Sequence, residues 1–187
     1  MRLFATVLFC AVAATVLCAE LSGTAQAGGK PVQYAILWLD APGASPLVQT
    51  KRVVLNQRQL DFDPHVLAIR VGTTVDFPNN DSVFHNVFSF RDGKKFDLGM
   101  YPPGTSRPIV FDKPGLSRIF CNIHPHMAAY VMAVDTPYFA MSNERGEFTL
   151  TGVPAGTYTY HAWRPGGQTL TGSTTVDSGH PLPITWP

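Results

Sequence analysis

Short runs of apolar or alternating residues recur along the chain, separated by glycine, proline, asparagine and aspartate. The clearest runs occupy 32–40, 65–72, 73–79, 85–90, 107–111, 117–121, 130–134, 146–153 and 156–163. Alternation with a period of two is the pattern of a half-buried strand, and no long stretch repeats its apolar residues with the period of a helix. Short strands at this close spacing are typical of sandwiches and barrels. The pattern therefore predicts an all-β protein built around a β-sandwich.

Residues 1–27 follow a different pattern. Arg2 precedes an apolar stretch over 3–19, and Ala25-Gln26-Ala27 has the small residues that a signal peptidase requires. We expect residues 1–27 to be a secretory signal peptide that is removed, and the protein to be periplasmic or secreted.

The remainder of the chain divides into two parts. Residues 28–135 hold enough strands for one sandwich, and β patterning resumes after Asp135-Thr136-Pro137. The second part, 136–187, is short for an independent core. We expect it to be a β extension that packs on the first part or takes the 32–40 strand to complete a small sheet.

Charge and hydropathy exclude several partners. The formal net charge is +1, so the chain lacks the electrostatic signature of a protein that binds nucleic acid or an anionic membrane surface. Beyond the leader, no segment approaches the roughly 20 apolar residues that span a bilayer. We therefore expect no stable membrane insertion once the leader is removed.

The cysteine count changes when the leader is removed, because Cys10 and Cys18 leave with it and Cys121 remains alone. A lone cysteine in an oxidising compartment has no disulfide partner in its own chain. It must be buried, paired with another chain or bound to a metal. The stretch FCNIHPHM, residues 120–127, places His124, His126 and Met127 beside it, and this concentration of ligand types favours a metal site.

A thiolate, two imidazoles and a weak thioether form the ligand set of a blue-copper electron-transfer centre. The loop supplies the thiolate, the thioether and at least one imidazole, and His85 at the start of the 85–90 run is the candidate for the other. Cysteine with two histidines would also hold zinc. Cysteine catalysis is disfavoured because no oxyanion donors or orienting group accompany the Cys-His pair, so we do not expect an enzyme.

The spacing Cys121-x-x-His124-x-x-Met127 resembles the ligand loop of the cupredoxins, in the short form found in amicyanin, and the His85-Asn86 pair is also similar to this plastocyanin-like family. The resemblance implies a Greek-key β-sandwich and one copper ion that cycles between Cu(I) and Cu(II). It implies His85, Cys121, His124 and Met127 as ligands, with Asn86 just outside them fixing the ligand loop. It also implies an electron carrier with a redox protein as donor and another as acceptor.

His126 departs from that pattern and stays open as the alternative loop ligand. Met127 is adjacent to it and could hardly reach the same metal, so this choice would require Met132 in the axial place.

The tail resembles a second family, the carboxypeptidase regulatory-like β-sandwiches. The positions that fit its pattern are Gly146, Phe148, Val153, Pro154, Gly156, Tyr158 and Trp163. The resemblance implies a structural or docking role without catalysis.

Two other functions remain as alternatives. One is a protein that binds or delivers copper without shuttling electrons. The other is a sugar-binding or adhesion module built on the aromatic strand at 156–163. The remaining histidines, His65, His161 and His180, have no ligand-like neighbours in the sequence, and we expect them to lie at the surface or in hydrogen bonds.

Overall fold

The computed structural model describes residues 18–41, 52–90, 92–177 and 179–187. Within these ranges the regular structure is entirely β, which confirms the predicted fold class, and no helix there could cross a membrane. The strands, in chain order, are β1 (Cys18–Ala27), β2 (Lys30–Pro31), β3 (Ile36–Leu39), β4 (Val53–Val54), β5 (Asn56–Arg58), β6 (Asp61–Asp63), β7 (Val66–Arg70), β8 (Thr73–Pro78), β9 (His85–Ser89), β10 (Phe96–Tyr101), β11 (Ser106–Phe111), β12 (Gly115–Phe120), β13 (Ala128–Val134), β14 (Phe139–Met141), β15 (Glu147–Pro154), β16 (Gly156–Trp163), β17 (Leu170–Val176) and β18 (Leu182–Trp186).

The first sandwich contains the predicted ligands. Its larger sheet has the order β10-β9-β12-β13-β7, and its smaller sheet has the order β11-β8-β4. The chain passes between these sheets after β7, β8, β10 and β11, which is the connectivity of a Greek-key sandwich. Apolar residues from both sheets meet in one core that includes Phe77, Phe111, Ile119 and Val131. The β5–β6 hairpin packs Phe62 into the same core.

The second sandwich is assembled from both ends of the described chain. One sheet has the order β15-β1-β18 with β2 beside β1, and the other has the order β14-β3-β16-β17. Its core includes Leu21, Leu37, Phe148, Ile184 and Trp186. The tail therefore takes β3 from the 32–40 run, one of the two arrangements that the sequence allowed.

Residues 18–40 lie in the second sandwich, while removal of residues 1–27 as a signal peptide stays a prediction. Residues 18–27, assigned to the signal peptide, form β1 between β15 and β18, and residues 28–40, assigned to the copper domain, belong to the second sandwich. Small residues allow β1 to pack closely against its neighbours. A Cβ on Gly23 would lie 2.0 Å from the carbonyl oxygen of Leu182, and Ala25 is fully buried. Small residues at these positions therefore suit a crowded strand as well as a peptidase site.

A third apolar cluster joins the two sandwiches. Ile36 and Trp163 from the second sandwich pack with Val66, Met132 and Val134 from the first. Met132, the alternative axial ligand, thus lies in this contact between the sandwiches.

Candidate metal centre

Two neighbouring strands bring the predicted ligands together. His85 begins β9 and Cys121 directly follows β12. These strands are antiparallel neighbours, with Phe120 opposite Phe88, so the start of one lies beside the end of the other. His85 and Cys121 therefore meet at one end of the larger sheet, although a long stretch of sequence separates them.

The ligand loop between β12 and β13 is a tight turn. The backbone N–H of Met127 donates to the carbonyl oxygen of His124 at 2.9 Å. This bond closes the loop, in which Cys121 and Met127 belong to the first core and His124 is only partly buried. The short Cys-x-x-His-x-x-Met spacing thus places three side chains at the same end of the sandwich.

Three donor atoms converge. The Sγ atom of Cys121 lies 3.8 Å from Nδ1 of His85 and 3.8 Å from Nδ1 of His124. The two Nδ1 atoms are 3.0 Å apart. Among the described residues this is the group of histidine, cysteine and acidic side chains that could hold a metal, with its ligand atoms all within 4.8 Å of one another.

The donor set fits copper. A soft thiolate and two imidazole nitrogens are the strong ligands of blue-copper sites, and Cys121 and His85 are both buried. Met127 is also fully buried and belongs to the same core as Cys121, and its role as a weak fourth donor stays a prediction. The three strong donors would also suit zinc, whereas the addition of a weak thioether donor is typical of blue copper.

Asn86 connects the ligand loop to β9. Its Oδ1 atom accepts a hydrogen bond from the backbone N–H of Asn122 at 2.7 Å, and its side chain is buried. Because Asn86 adjoins His85 and Asn122 adjoins Cys121, this bond ties the two strong ligands to each other through the backbone. The contact is the one that the cupredoxin resemblance implies for this asparagine.

Asp81 is a residue of the centre that the sequence analysis did not identify. Its Oδ2 atom lies 2.8 Å from Nε2 of His85. Burial acts to raise the pKa of Asp81, but hydrogen bonds from the Leu60 amide, from His85 and from the Gln59 amide outweigh burial and lower that pKa. The only sequence signal was a carboxylate four residues before a candidate ligand, in a stretch that resembles an ordinary turn.

The other histidines lie outside the group of converging donors. His126 is exposed, and its ring centroid is 6.3 Å from that of His124. His65 contacts the ring of Tyr130 edge-on, His161 hydrogen-bonds to Asp40 and Thr171, and His180 pairs with Asp177.

The rim of the centre is apolar. Phe84 directly precedes His85 in the chain, and Ile123 directly precedes His124. Both side chains are about half exposed. Pro125 and His126 on the same loop are also exposed. His124 is itself only partly buried, so this rim brings a ligand close to the surface.

Comparison with known proteins points to copper for the first sandwich. Residues 49–136, a little under half of the chain, match the family of copper binding proteins described as the plastocyanin/azurin family. The matched segment includes His85, Cys121, His124 and Met127. No curated protein matches the chain.

Solved structures with similarity to the chain include the following three. A purple cupredoxin from Nitrosopumilus maritimus is 28% identical over 44% of this chain and 99% of its own, with a TM-score of 0.41. A copper-containing nitrite reductase from Thermus scotoductus SA-01 is 28% identical over 52% of this chain and 25% of its own, with a TM-score of 0.45. Amicyanin from Paracoccus versutus is 24% identical over 52% of this chain and 97% of its own, with a TM-score of 0.41.

The family match ends at residue 136, so the resemblance of the tail to the carboxypeptidase regulatory-like family stays a prediction. The match supports the predicted resemblance for the first sandwich: residues 49–136, which carry the converging donors, are similar to the copper-binding plastocyanin/azurin family.

Proposed function

We propose that the protein is a mononuclear blue-copper electron carrier, exported from the cytoplasm, that passes single electrons between two redox proteins and is not itself an enzyme. The observation that carries this proposal is the convergence of Cys121 Sγ, His85 Nδ1 and His124 Nδ1 at a buried sheet end. The match to a copper-binding family over the same residues supports it.

Copper supplies a one-electron couple when it is bound at this site. The chain's contribution is a rigid arrangement of donors, because a transfer that moves few atoms has a low reorganisation cost. β9 and β12 hold His85 and Cys121 at the end of one sheet, and the Asn86–Asn122 hydrogen bond limits movement of the loop. The core around Met127 excludes water, which is a means of setting the potential.

His124 is the expected route for the electron. It is the ligand histidine that is only partly buried, whereas His85 is fully buried. A partner that covers the apolar rim of Phe84, Ile123 and Pro125 would bring its own redox centre close to the His124 ring. These three rim residues are uncharged, so we expect this docking to depend weakly on salt.

The test is the visible spectrum of the copper-loaded protein. We expect one copper per chain and an intense thiolate-to-copper band in the oxidised state, and Cys121→Ser should abolish that band because serine offers no thiolate. Cys18→Ser is the matched control, since Cys18 is an exposed cysteine in the other sandwich, and it should leave the band unchanged. A wild-type protein that binds zinc tightly but shows no band with Cu(II) would refute the blue-copper proposal.

Electron carriage and copper delivery differ in what leaves the protein. A carrier should cycle reversibly in voltammetry and keep its copper in the presence of a metal-free acceptor protein. Transfer of the ion to that acceptor, without reversible cycling, would favour delivery. The sugar-binding alternative is weakened by Tyr158 and Tyr160, because both pack against the second core and do not form an open aromatic platform.

A further inference from the structure

The ring of His85 is held on both sides. Its Nδ1 atom faces Cys121 and His124, and its Nε2 atom faces the carboxylate of Asp81 at 2.8 Å. The His85 side chain is 0% exposed and that of Asp81 is 13% exposed. The carboxylate therefore contacts the His85 nitrogen that faces away from Cys121 and His124, in a place that excludes most water.

Asp81 is itself fixed by backbone groups from another element. Its Oδ1 atom accepts a hydrogen bond from the Gln59 N–H at 2.6 Å, and its Oδ2 atom accepts one from the Leu60 N–H at 2.9 Å. Both donors lie in the turn of the β5–β6 hairpin, with φ values of 55° and 57°. That left-handed conformation is costly for residues other than glycine, and here it points two successive amides at one carboxylate.

The segment that carries Asp81 is anchored as well. The Asp81 N–H donates to Oδ1 of Asn79 at 3.1 Å. The Asn79 side chain is fully buried and donates to the carbonyl oxygens of Val83 and Tyr101. Asp81 thus has little freedom to turn away from His85.

The hydrogen bond selects one tautomer of His85. An ionised carboxylate only accepts hydrogen bonds, so Nε2 must carry the proton in the bond to Asp81. In a neutral imidazole the other nitrogen then has a free lone pair. That nitrogen is Nδ1, the atom that points at Cys121 and His124.

We propose that Asp81 is a positioning residue for the metal centre: it holds the ring of His85 with Nδ1 toward the metal, and its negative charge favours the oxidised ion and lowers the reduction potential. Carboxylates that accept from the outer nitrogen of a ligand histidine fix its orientation and raise its basicity in other metal sites. The charge argument follows from burial. With Asp81 and a Cys121 thiolate, Cu(II) makes the group neutral and Cu(I) leaves it with one negative charge. This inference rests on the proposed function for its effect on potential.

The first experiment compares Asp81→Asn with wild type. Asparagine keeps the shape and one accepting oxygen but removes the charge, so we expect the blue band to remain and the potential in voltammetry to shift upward. Asp112→Asn is the control, because it removes one charge from an exposed carboxylate paired with Lys94 and should shift the potential much less. Equal shifts in the two variants, or none in Asp81→Asn, would overturn the electrostatic part of the proposal.

The second experiment needs neither copper nor a variant. Nitrogen-15 NMR of the imidazoles in metal-free wild type should show His85 with its proton on Nε2, in slow exchange with solvent. A His85 ring with its proton on Nδ1 would overturn the positioning role. This NMR measurement tests the positioning role even if Asp81→Asn fails to fold.

The two proposals fail in distinguishable ways. Absence of a blue band in wild type would refute the copper carrier while leaving the tautomer result to stand on its own. A blue wild type whose potential and His85 tautomer do not depend on Asp81 would refute only the positioning role.

Discussion

The predicted ligands differ in how far water reaches them, and that difference determines what each substitution should do. His85, Cys121 and Met127 are buried, whereas His124 is partly exposed and His126 is exposed. Loss of a buried strong donor should remove the centre. Loss of a weak donor or of a rim residue should only alter it.

Met127→Leu should retune the centre without destroying it. Leucine has nearly the same volume, so the core should tolerate the change. A thioether is a weak axial ligand, and its removal costs Cu(II) more than Cu(I). We therefore expect the thiolate band to persist and the potential in voltammetry to rise. An unchanged potential would indicate that Met127 serves only as core packing.

His124→Ala and His126→Ala should behave differently. Of these two loop histidines, His124 is the one whose Nδ1 atom lies 3.8 Å from the Cys121 sulfur, so its loss should remove the blue band and weaken copper binding in a titration. His126→Ala is the matched control on the same loop and should leave the band intact, with effects confined to partner kinetics. The reverse pattern would reassign the ligand, and loss of the band in both variants would indicate a site that uses both imidazoles.

At the scale of elements, the centre depends on how the ligand loop is fastened to the strand beside it. The loop leaves β12 after Phe120 and enters β13 at Ala128. Its hydrogen bond to the β9 side is the contact between the Asn122 N–H and Asn86. The hydrogen bond from the Met127 N–H to the His124 carbonyl oxygen then fixes the backbone of Met127 relative to the loop.

Asn86→Ala should loosen the loop and lower stability. Alanine removes the acceptor of the Asn122 N–H, and the loss of such a part-buried hydrogen bond costs about 0.5–1.5 kcal/mol in the free energy of unfolding. We expect chemical denaturation of the metal-free protein to show this loss. Asn80→Ala, which removes an exposed side chain bonded to Asn56, should change stability by much less. Equal effects in both variants would mean that the loop does not depend on Asn86.

At the scale of the whole molecule, β1 is the strand that connects β15 and β18 in one sheet of the second sandwich. It pairs with β15 on one side and with β18 on the other. A mature chain that began at Gly28 would lack this strand, so any signal peptide should be cleaved before β1. Sequencing the N-terminus of the protein purified from its native cells would test this, and a mature protein beginning at Gly28 would contradict it.

A chain that begins at Gly28 should lose the second sandwich and keep the first. All three tryptophans, Trp38, Trp163 and Trp186, lie in β3, β16 and β18 of the second sandwich, so tryptophan emission reports on that unit and the copper band reports on the other. We expect the thermal transition in emission to move to lower temperature or vanish while the band persists. A chain that begins at Cys18 is the control. An unchanged transition in the shorter chain would show that β1 is dispensable.

The sequence by itself determined the features that local pattern encodes. Period-two runs identified nine strands, from β3 to β16, because alternation reflects which face is buried. The spacing of Cys121, His124 and Met127 on one short loop indicated the metal centre, because a tight turn brings such residues together in any fold that contains it. His85 was identified because the ligand set requires a second imidazole, and this histidine lies at the start of a predicted strand.

Only the tertiary structure decided the features that depend on residues far apart in the chain. Small residues at 23–27 suit a peptidase site and a crowded strand equally well, and the partners that select the strand lie at the other end of the sequence. The role of Asp81 depends on amides of the β5–β6 turn and on the far side of the His85 ring. Strand pairing and side-chain burial are long-range properties, and no local pattern records them.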